Sequence, residues 1–506
     1  KGANSVAGNT VLGESALDSG SLSGGNNTAI GKQALTALTS GSSNTSVGFD
    51  SLAATTTGSD NIGIGSKSLF TNSTGSNNVA IGVSALRNST GDDNTAIGRS
   101  ALFANTSGTS NVGLGKNVLA ANTTASNNTA VGNAALTANT TGTRNTAVGT
   151  NALDANTTGN DNIAIGVDTL GVNTTGQLNV AVGDFSLDAN TTGDANTAFG
   201  HGSLGANTTA NNNTAVGYHS LLSNTTGTEN VAVGTNALAN NTTASDNVAV
   251  GRGSLGTNTT GADNVAVGRS ALANNTTASN NTAVGKSALL VNTTGVNNVA
   301  VGSGALDANT TGANNTVVGY NSAGGLTTGN QNVFIGENCG IVATTGNTNT
   351  CCGRDSGGQL TTGSNNLLLG HDAGKSGSPL HVTSGSNNIV LGDNNITSAN
   401  VKVDWTVSSD QRDKTDIQDI TTGLDFVKQL KPKSFWFKKD RDSDVKHGDK
   451  KYGFLAQDIL ALEGSDPVVI NNKDEDSLKY QGSHLIPILV NAIKELSAKV
   501  TALEAG

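Results

Sequence analysis

Residues 213–229 read NTAVGYHSLLSNTTGTE, one copy of a unit that recurs along most of the chain. The glycine that closes the NTAVG pentad, Gly217, belongs to a series that returns every 17 residues from Gly98 to Gly370. Earlier glycines of the series lie 16 to 18 residues apart, and a step of 22 leads to the last one. An internal period of this length indicates a repeat architecture, here of 23 units.

Each unit combines a short alternating segment with turns. Thr214 and Val216 are expected to face one side of a strand and Ala215 the other. The segment 224–227, NTTG, is a turn, and the abundance of Gly, Asn and Thr argues against helix. A single unit holds only about three apolar side chains suited to burial, so neighbouring coils have to stack. We therefore predict an all-β shaft, a parallel β-solenoid or β-roll in which Val stacks on Val, Leu on Leu and Asn on Asn as amide ladders.

Charge divides the chain into two parts. Residues 1–400 contain 12 Lys and Arg and 20 Asp and Glu, whereas residues 401–506 contain 16 and 18. We predict a shaft over 1–400, a linker over 401–408 and a globular module over 409–506. The balance is mildly acidic, so neither nucleic acid nor an anionic membrane is an expected partner. No apolar run reaches the roughly 18 to 20 residues of a membrane-spanning helix, so membrane insertion is not expected either.

Three cysteines, Cys339, Cys351 and Cys352, fall within one pair of units. This spacing cannot build a disulfide framework along the chain. Cys351 and Cys352 replace the usual Ala-Val pair, so all three are predicted to be small buried hydrophobes. No metal and no cofactor are predicted, because Asp lacks the fixed place in every coil that a calcium-binding β-roll needs.

The pentad also resembles a known repeat. Residues 77–82, NNVAIG, are similar to the head repeat of YadA-like trimeric autotransporter adhesins. The resemblance implies a homotrimer of left-handed parallel β-rolls. The present unit is longer than the one typical of that family, and the additional residues are expected to enlarge a turn.

The last hundred residues carry a different set of motifs. They are SDQRDK from Ser409 to Lys414, LKPKSFWF over 430–437, GFLAQ over 453–457, and a closing stretch over 480–496. In order and spacing these resemble the intramolecular chaperone of the endosialidase type, in which the motif residues are Asp410, Arg412, Gly453, Phe454, Ala456 and Gln457. The resemblance implies a small α+β domain that trimerises, guides folding of the shaft and releases itself by autoproteolysis.

The same resemblance implies the residues of the cleavage. Ser409 is the nucleophile, Lys414 the base, and the bond between Ser408 and Ser409 is cut. A hydroxyl needs a nearby base, and a lysine serves when desolvation keeps it neutral. Asp413 stands where the family usually has a hydrophobic residue and is expected to hold Lys414 protonated. The alternative, in which Ser409 and Asp410 cap a turn and Lys414 is a solvated charge, stays open.

A coiled-coil seam is predicted at the C-terminus. Apolar residues follow one another in steps of 4, 3, 4 and 3 at Leu489, Ile493, Leu496, Val500 and Leu503. Branched residues at the a positions would by themselves favour a dimer, so the trimer rests on the resemblance.

Together these features predict an extracellular structural fibre or adhesin of a phage or phage-like particle. The expected partner is a host or cell-surface receptor, either a glycan or a surface protein. The alternative is a bacterial cell-surface trimeric adhesin. A glycan-degrading enzyme is disfavoured, because such enzymes need paired carboxylates, whereas the acids of the repeats, such as Asp154 and Glu229, lie at variable turn positions and form no recurring constellation. The chain is at most a self-cleaving Ser/Lys peptidase.

Overall fold

The computed structural model of the chain describes residues 6–402, 408–438, 443–472 and 478–506. Most of the predicted linker, 401–408, lies outside the described residues. Two compact units are present, one over Lys1–Leu391 and one over Gly392–Gly506.

The first unit is a parallel β-solenoid with one three-residue strand in each coil, which confirms the predicted fold class. Its 23 strands form a single sheet, and each strand pairs in parallel with that of the next coil. Thr214, for example, lies opposite Val231. In chain order, β1 to β23 are Thr10–Leu12, Thr28–Ile30, Thr45–Val47, Ile62–Ile64, Val79–Ile81, Thr95–Ile97, Val112–Leu114, Thr129–Val131, Thr146–Val148, Ile163–Ile165, Val180–Val182, Thr197–Phe199, Thr214–Val216, Val231–Val233, Val248–Val250, Val265–Val267, Thr282–Val284, Val299–Val301, Thr316–Val318, Val333–Ile335, Thr350–Cys352, Leu367–Leu369 and Ile389–Leu391.

The central residue of each strand faces the core. Ala215 is fully buried, whereas Thr214 is half-buried and Val216 is 38% exposed. The alternation predicted from the sequence is therefore confirmed, and the side that turns inward is that of the alanine. Behind the strand the core is completed by a leucine from the following segment, such as Leu221. The valine columns stack as predicted, but on the outer face of the sheet.

Two backbone features hold every coil in its shape. Gly217 has a φ of +131°, and a Cβ there would lie 2.8 Å from the carbonyl carbon of Gly234 in the next coil, so only glycine fits. Leu221 has a φ of 50°, a left-handed conformation that is uncommon for leucine. Burial of its side chain and a hydrogen bond from its N–H to the carbonyl of Ala237 at 3.0 Å hold it there.

Two columns of buried asparagines run through the solenoid, which confirms the predicted amide ladders. In the first, the backbone N–H of Asn230 donates to Asn213 Oδ1 at 3.0 Å, and Asn230 Nδ2 donates to the carbonyl of Ala244 at 2.8 Å. In the second, Asn224 Nδ2 donates to Asn207 Oδ1 at 3.2 Å. The ladders satisfy polar groups that would otherwise be buried without partners.

We predict that Asn230→Leu weakens its coil locally. The change orphans the N–H of Asn247, which donates to Asn230 Oδ1, whereas the carbonyl of Ala244 keeps its bond from Asn241 Nδ2. One unsatisfied buried group costs about 1–3 kcal/mol of local opening free energy. Hydrogen exchange of the full chain, read by mass spectrometry, should become faster over 213–247. Asn240→Leu, at an exposed position, is the matched control, and equal exchange in the two variants would contradict the ladder's role.

The second unit is a small α+β region, as predicted. A 3₁₀ turn, Gln411–Asp413, precedes helix α1, Leu424–Val427, and the antiparallel hairpin of β24, Lys433–Lys438, with β25, Lys446–Gly453. Helix α2, Ala456–Glu463, then leads to the antiparallel pair β26, Ile470–Asn471, and β27, Lys479–Tyr480. The long helix α3, Gly482–Ala505, closes the chain. Within the described ranges, no helix combines the length and apolar character needed to cross a membrane.

Candidate functional site

The site begins at the 3₁₀ turn of the second unit. Asp410 is its N-cap, and its Oδ1 accepts the backbone N–H of Arg412 at 2.8 Å. Arg412 Nη2 in turn donates to Asp410 Oδ2 at 2.6 Å. The guanidinium holds the pKa of the Asp410 carboxyl below its usual value. Two predicted motif residues thus fix one turn of backbone.

This turn folds Lys414 back over Ser409. The N–H of Lys414 donates to the carbonyl of Gln411 at 3.2 Å, which closes the turn. Lys414 Nζ then lies 2.7 Å from Ser409 Oγ and 3.0 Å from the Ser409 carbonyl oxygen. The hydroxyl and the amine are within hydrogen-bonding distance, which is the spacing that a nucleophile and its base require.

The dyad is open to solvent in the single chain. Ser408, Ser409 and Lys414 are all exposed. Among the residues that the structure describes, Asp413 forms no ion pair with Lys414, although the sequence led us to expect one. The amine instead contacts the serine. A lysine that acts as a base needs desolvation, and the described part of this chain does not bury Lys414.

The remaining motif residues support the hairpin and α2. Gly453 ends β25, and a Cβ there would lie 3.2 Å from Phe435 Cε1, so glycine admits the ring across the hairpin. Phe454 packs beside the small core and lies 5.9 Å from the ring of Tyr480. Ala456 begins α2, and Gln457 is exposed on it. Gly453, Phe454 and Ala456 are architectural in the single chain.

Helix α3 is held by one face. Leu485, Ile488 and Ala492 on this face are buried. Glu495 Oε2 accepts the first N–H of α1, that of Leu424, at 2.8 Å. Asn491 Nδ2 donates to the carbonyl of Thr422 at 3.1 Å. Sequence reasoning missed these polar contacts because the partners are about seventy residues apart and follow no local pattern.

The predicted coiled-coil seam occupies the face of α3 next to the buried one. All five seam residues are exposed, from 37% to 81%, namely Leu489, Ile493, Leu496, Val500 and Leu503. Among the described residues of this unit, by contrast, the core cluster is small and is formed by Ile459, Val469, Ile470, Leu485 and Ile488. The described part of the single chain therefore leaves this row of apolar side chains without cover.

The order of these features along the chain is that of a known family. Residues 409–465 match the family described as chaperone of endosialidase. The prediction of that family for the C-terminal module is thus confirmed. The match begins at Ser409 and contains the dyad, the hairpin and α2, while α3 lies beyond it. No curated protein and no solved structure gave a significant match. An endosialidase chaperone segment downstream of a β-solenoid is consistent with a tail-fibre-like structural protein.

The outer face of the solenoid sheet is a second exposed apolar surface. The first and third residues of each strand form two columns of Val, Ile, Leu and Thr on it. Ile163 and Ile165 in β10, for instance, are 38% and 39% exposed. Parallel sheets are almost always covered on both faces, whereas this apolar face is bare in the single chain.

The cysteines differ in part from the prediction. Cys339 and Cys351 are buried, as expected, and a hydrogen bond with Cys339, together with burial, raises the pKa of the Cys351 thiol. Cys352, however, is exposed. The prediction was wrong there because Cys352 takes the outward valine position, while Cys351 takes the inward alanine position.

One cluster has the composition of a metal site. Single ligand atoms of Asp355, His371 and Asp372 lie within 4.8 Å of one another. Two side-chain cations already contact this cluster. Lys375 Nζ lies 2.9 Å from Asp372, and Arg354 Nη2 lies 2.6 Å from His371 Nε2. We therefore interpret it as an ion-pair network.

Proposed function

We propose that this chain is the subunit of a homotrimeric extracellular fibre of a phage or phage-like particle. The solenoid is its shaft and binds a host or cell-surface receptor, and the C-terminal module aligns three chains before the shaft folds. The observation that carries the proposal is the match to the endosialidase chaperone directly downstream of 23 near-identical coils.

Register explains why such a shaft needs a chaperone. Each coil offers its neighbour nearly the same pairings, for example Val231 opposite Val248 and, one coil later, Val248 opposite Val265. Slipping three chains by one coil would change few contacts, so the repeats themselves discriminate poorly between registers. A C-terminal clamp that joins the chains first removes this degeneracy.

Two apolar surfaces support association between copies. The α3 seam offers a helical row, and the outer sheet face offers the Val and Ile columns. A second and a third copy of this chain would cover both, because identical repeats present complementary surfaces of equal length in every copy. At about 4.8 Å per coil, the 23 coils would extend on the order of 110 Å.

The chemistry that we propose is a single self-cleavage. Lys414 Nζ accepts the hydroxyl proton of Ser409, and Ser409 Oγ attacks the carbonyl carbon of Ser408. The peptide bond between them breaks, the nitrogen of Ser409 takes the proton, and water hydrolyses the resulting ester. Since the dyad is exposed in one chain, we propose that assembly supplies the desolvation that the base needs.

A bacterial cell-surface trimeric adhesin is the second candidate. It is favoured by the hexapeptide over 77–82, whose residues 79–81 form strand β5 of the solenoid. Genes beside the coding sequence would separate the two candidates. Tail and baseplate genes support the particle fibre, and secretion genes support the adhesin.

Light scattering on the purified full chain tests the oligomer directly. We expect a mass of three times 50.3 kDa, or three shafts with their released C-terminal fragments. Val250→Glu on the outer sheet face should reduce the trimer, because three carboxylates would be buried without partners. Thr260→Glu, at an exposed turn position, is the matched control. A folded wild-type monomer would contradict the proposal.

A further inference from the structure

One part of the solenoid departs from its neighbours in composition. Residues 1–391 contain twelve Phe, Tyr and His residues, and five of them fall between residues 185 and 219. Four of these five belong to one cluster of ring contacts, in which Tyr218 stacks on His219 with centroids 3.8 Å apart. A shaft made of Asn, Thr and Ala has no structural need for such a cluster.

Two glycines open a recess beside these rings. Gly202 and Gly205 both belong to the coil that follows Gly200, while the coils before and after it carry Phe185 and His219 at the first of these positions. A Cβ at Gly202 would lie 2.8 Å from His219 Cδ2, so the lack of a side chain at Gly202 leaves room for the imidazole of His219. The recess has a volume of about 380 Å³, within the range of small-ligand sites.

The recess combines apolar and polar groups. Phe185 and Leu222 supply apolar surface, while Asp188, His201 and Ser223 supply hydrogen-bonding groups. Asp188 Oδ1 would lie 3.4 Å from a Cβ at Gly205, so glycine leaves its carboxylate uncovered on that side. The carboxyl is half-buried, and burial raises its pKa. Burial and the neighbouring His201 lower the pKa of His219, which favours a neutral ring.

Two other places in the solenoid also have an aspartate beside a glycine of the next coil, but they lack the aromatic cluster. Asp154 lies beside Gly171, and Asp307 beside Gly324. In both cases burial raises the pKa of the carboxyl, as at Asp188. The three sites share a carboxylate, and the site at Asp188 alone adds the ring cluster that runs from Phe185 to His219. This difference indicates a ligand with an apolar face and hydroxyl groups.

We propose that this recess binds one neutral sugar ring of a surface glycan. The C–H face of the sugar packs on Phe185 and Leu222, and its hydroxyls bond to Asp188, His201 and Ser223. An acidic sugar is disfavoured, because the described residues that line the recess include a carboxylate and neither Lys nor Arg. The proposal deepens the receptor-binding role above and rests on it.

The site stays accessible in an assembled fibre of the kind proposed. Its residues belong to the segment after each strand, whereas the outer sheet face uses the strand residues, such as Val216. Covering that face with another chain therefore does not require covering the recess. In this proposal, the receptor binds the segment after each strand, whereas the chains associate through the strand residues.

Two variants of the full chain test the proposal. Tyr218→Ala removes the ring that orders His219, and Gly205→Leu fills the recess. The corresponding position holds Phe70, Phe103 and Leu222 in other coils, so a large side chain there is compatible with the fold. The matched control is Tyr320→Ala, because Tyr320 is 56% exposed, against 50% for Tyr218, at the corresponding place of a coil without the cluster.

The measurement is saturation-transfer NMR with glucose, galactose, mannose and N-acetylglucosamine as separate probes at millimolar concentration. We expect transfer to the ring protons of at least one sugar, at least tenfold weaker in Tyr218→Ala and Gly205→Leu and unchanged in Tyr320→Ala. No transfer to any sugar, or equal transfer in all variants, would overturn the proposal. Tetramethylammonium is the fifth probe, and transfer to it alone would overturn the sugar proposal in favour of an organic cation. Light scattering on the same samples reports assembly, so loss of sugar binding is distinguishable from loss of the trimer.

Discussion

Wild-type protein incubated after assembly is expected to separate into a shaft ending at Ser408 and the 98-residue fragment 409–506. The basis is the position of Lys414 Nζ, 2.7 Å from Ser409 Oγ, at the end of a turn fixed by Asp410 and Arg412. Ser409→Ala should abolish the fragment, because no other group can form the ester at this bond. A denaturing gel with mass spectrometry of the fragment measures the effect, and its first residue should be Ser409.

The two adjacent serines provide the control for this experiment. Ser408→Ala keeps the nucleophile and should still be cut, whereas Ser409→Ala should stay intact and still assemble. Lys414→Ala should resemble Ser409→Ala, and Arg412→Ala should slow cleavage by loosening the turn. If Ser409→Ala is cut at the same bond as the wild type, the dyad is not the cause of cleavage.

The role of Asp413 in the cleavage can be tested with a further variant. The sequence suggested that its carboxylate holds Lys414 protonated, yet the amine contacts Ser409 rather than Asp413. We therefore expect Asp413→Leu to be cut at most about three times faster than the wild type. A surface charge without a direct pair has little effect on the neighbouring amine. A much larger acceleration would assign the inhibitory role to Asp413 after all.

The fold was largely predictable because its causes are local and repeated. The recurrence of Gly217 and its equivalents marks the place where the backbone of one coil touches the next, and the period follows from it. The ladder of Asn213 and Asn230 was predictable for the same reason, since identical positions in stacked coils must meet. The burial of Ala215 and the left-handed turn at Leu221 were not predictable in this way. Both depend on how narrow the folded coil is, and the sequence of one repeat does not reveal that width.

The candidate site was predictable to a different extent. Ser409 and Lys414 were identified by resemblance alone, and their contact depends on a capped turn that spacing does not specify. The recess near Asp188 left a signal in the sequence, namely aromatic rings clustered in a chain that has few. The meaning of that signal required the structure, because Gly202 and Gly205 became relevant only as gaps between stacked coils.

The seam of α3 allows the chaperone role to be tested without removing the module. Val500 is 44% exposed on the apolar face, and the adjacent Thr501 is exposed beside it. Val500→Glu would place one carboxylate from each chain in the seam, at a cost of roughly 3 kcal/mol or more, which corresponds to about a hundredfold weaker association. Thr501→Glu adds the same charge outside the seam and should be neutral.

If the module aligns the chains before the shaft folds, Val500→Glu has a larger consequence than weaker association. Newly made shafts should then pair out of register and aggregate, and deletion of residues 409–506 from the gene should have the same effect. Removing the module after assembly should leave a soluble trimeric shaft, because the coils are held by the ladders and, in the proposed trimer, by contacts that cover the sheet face. Light scattering and sedimentation of the soluble fraction distinguish these cases. A truncated gene that yields normal soluble trimers would show that the repeats find their own register, and the module would then be an attachment to the fibre rather than its chaperone.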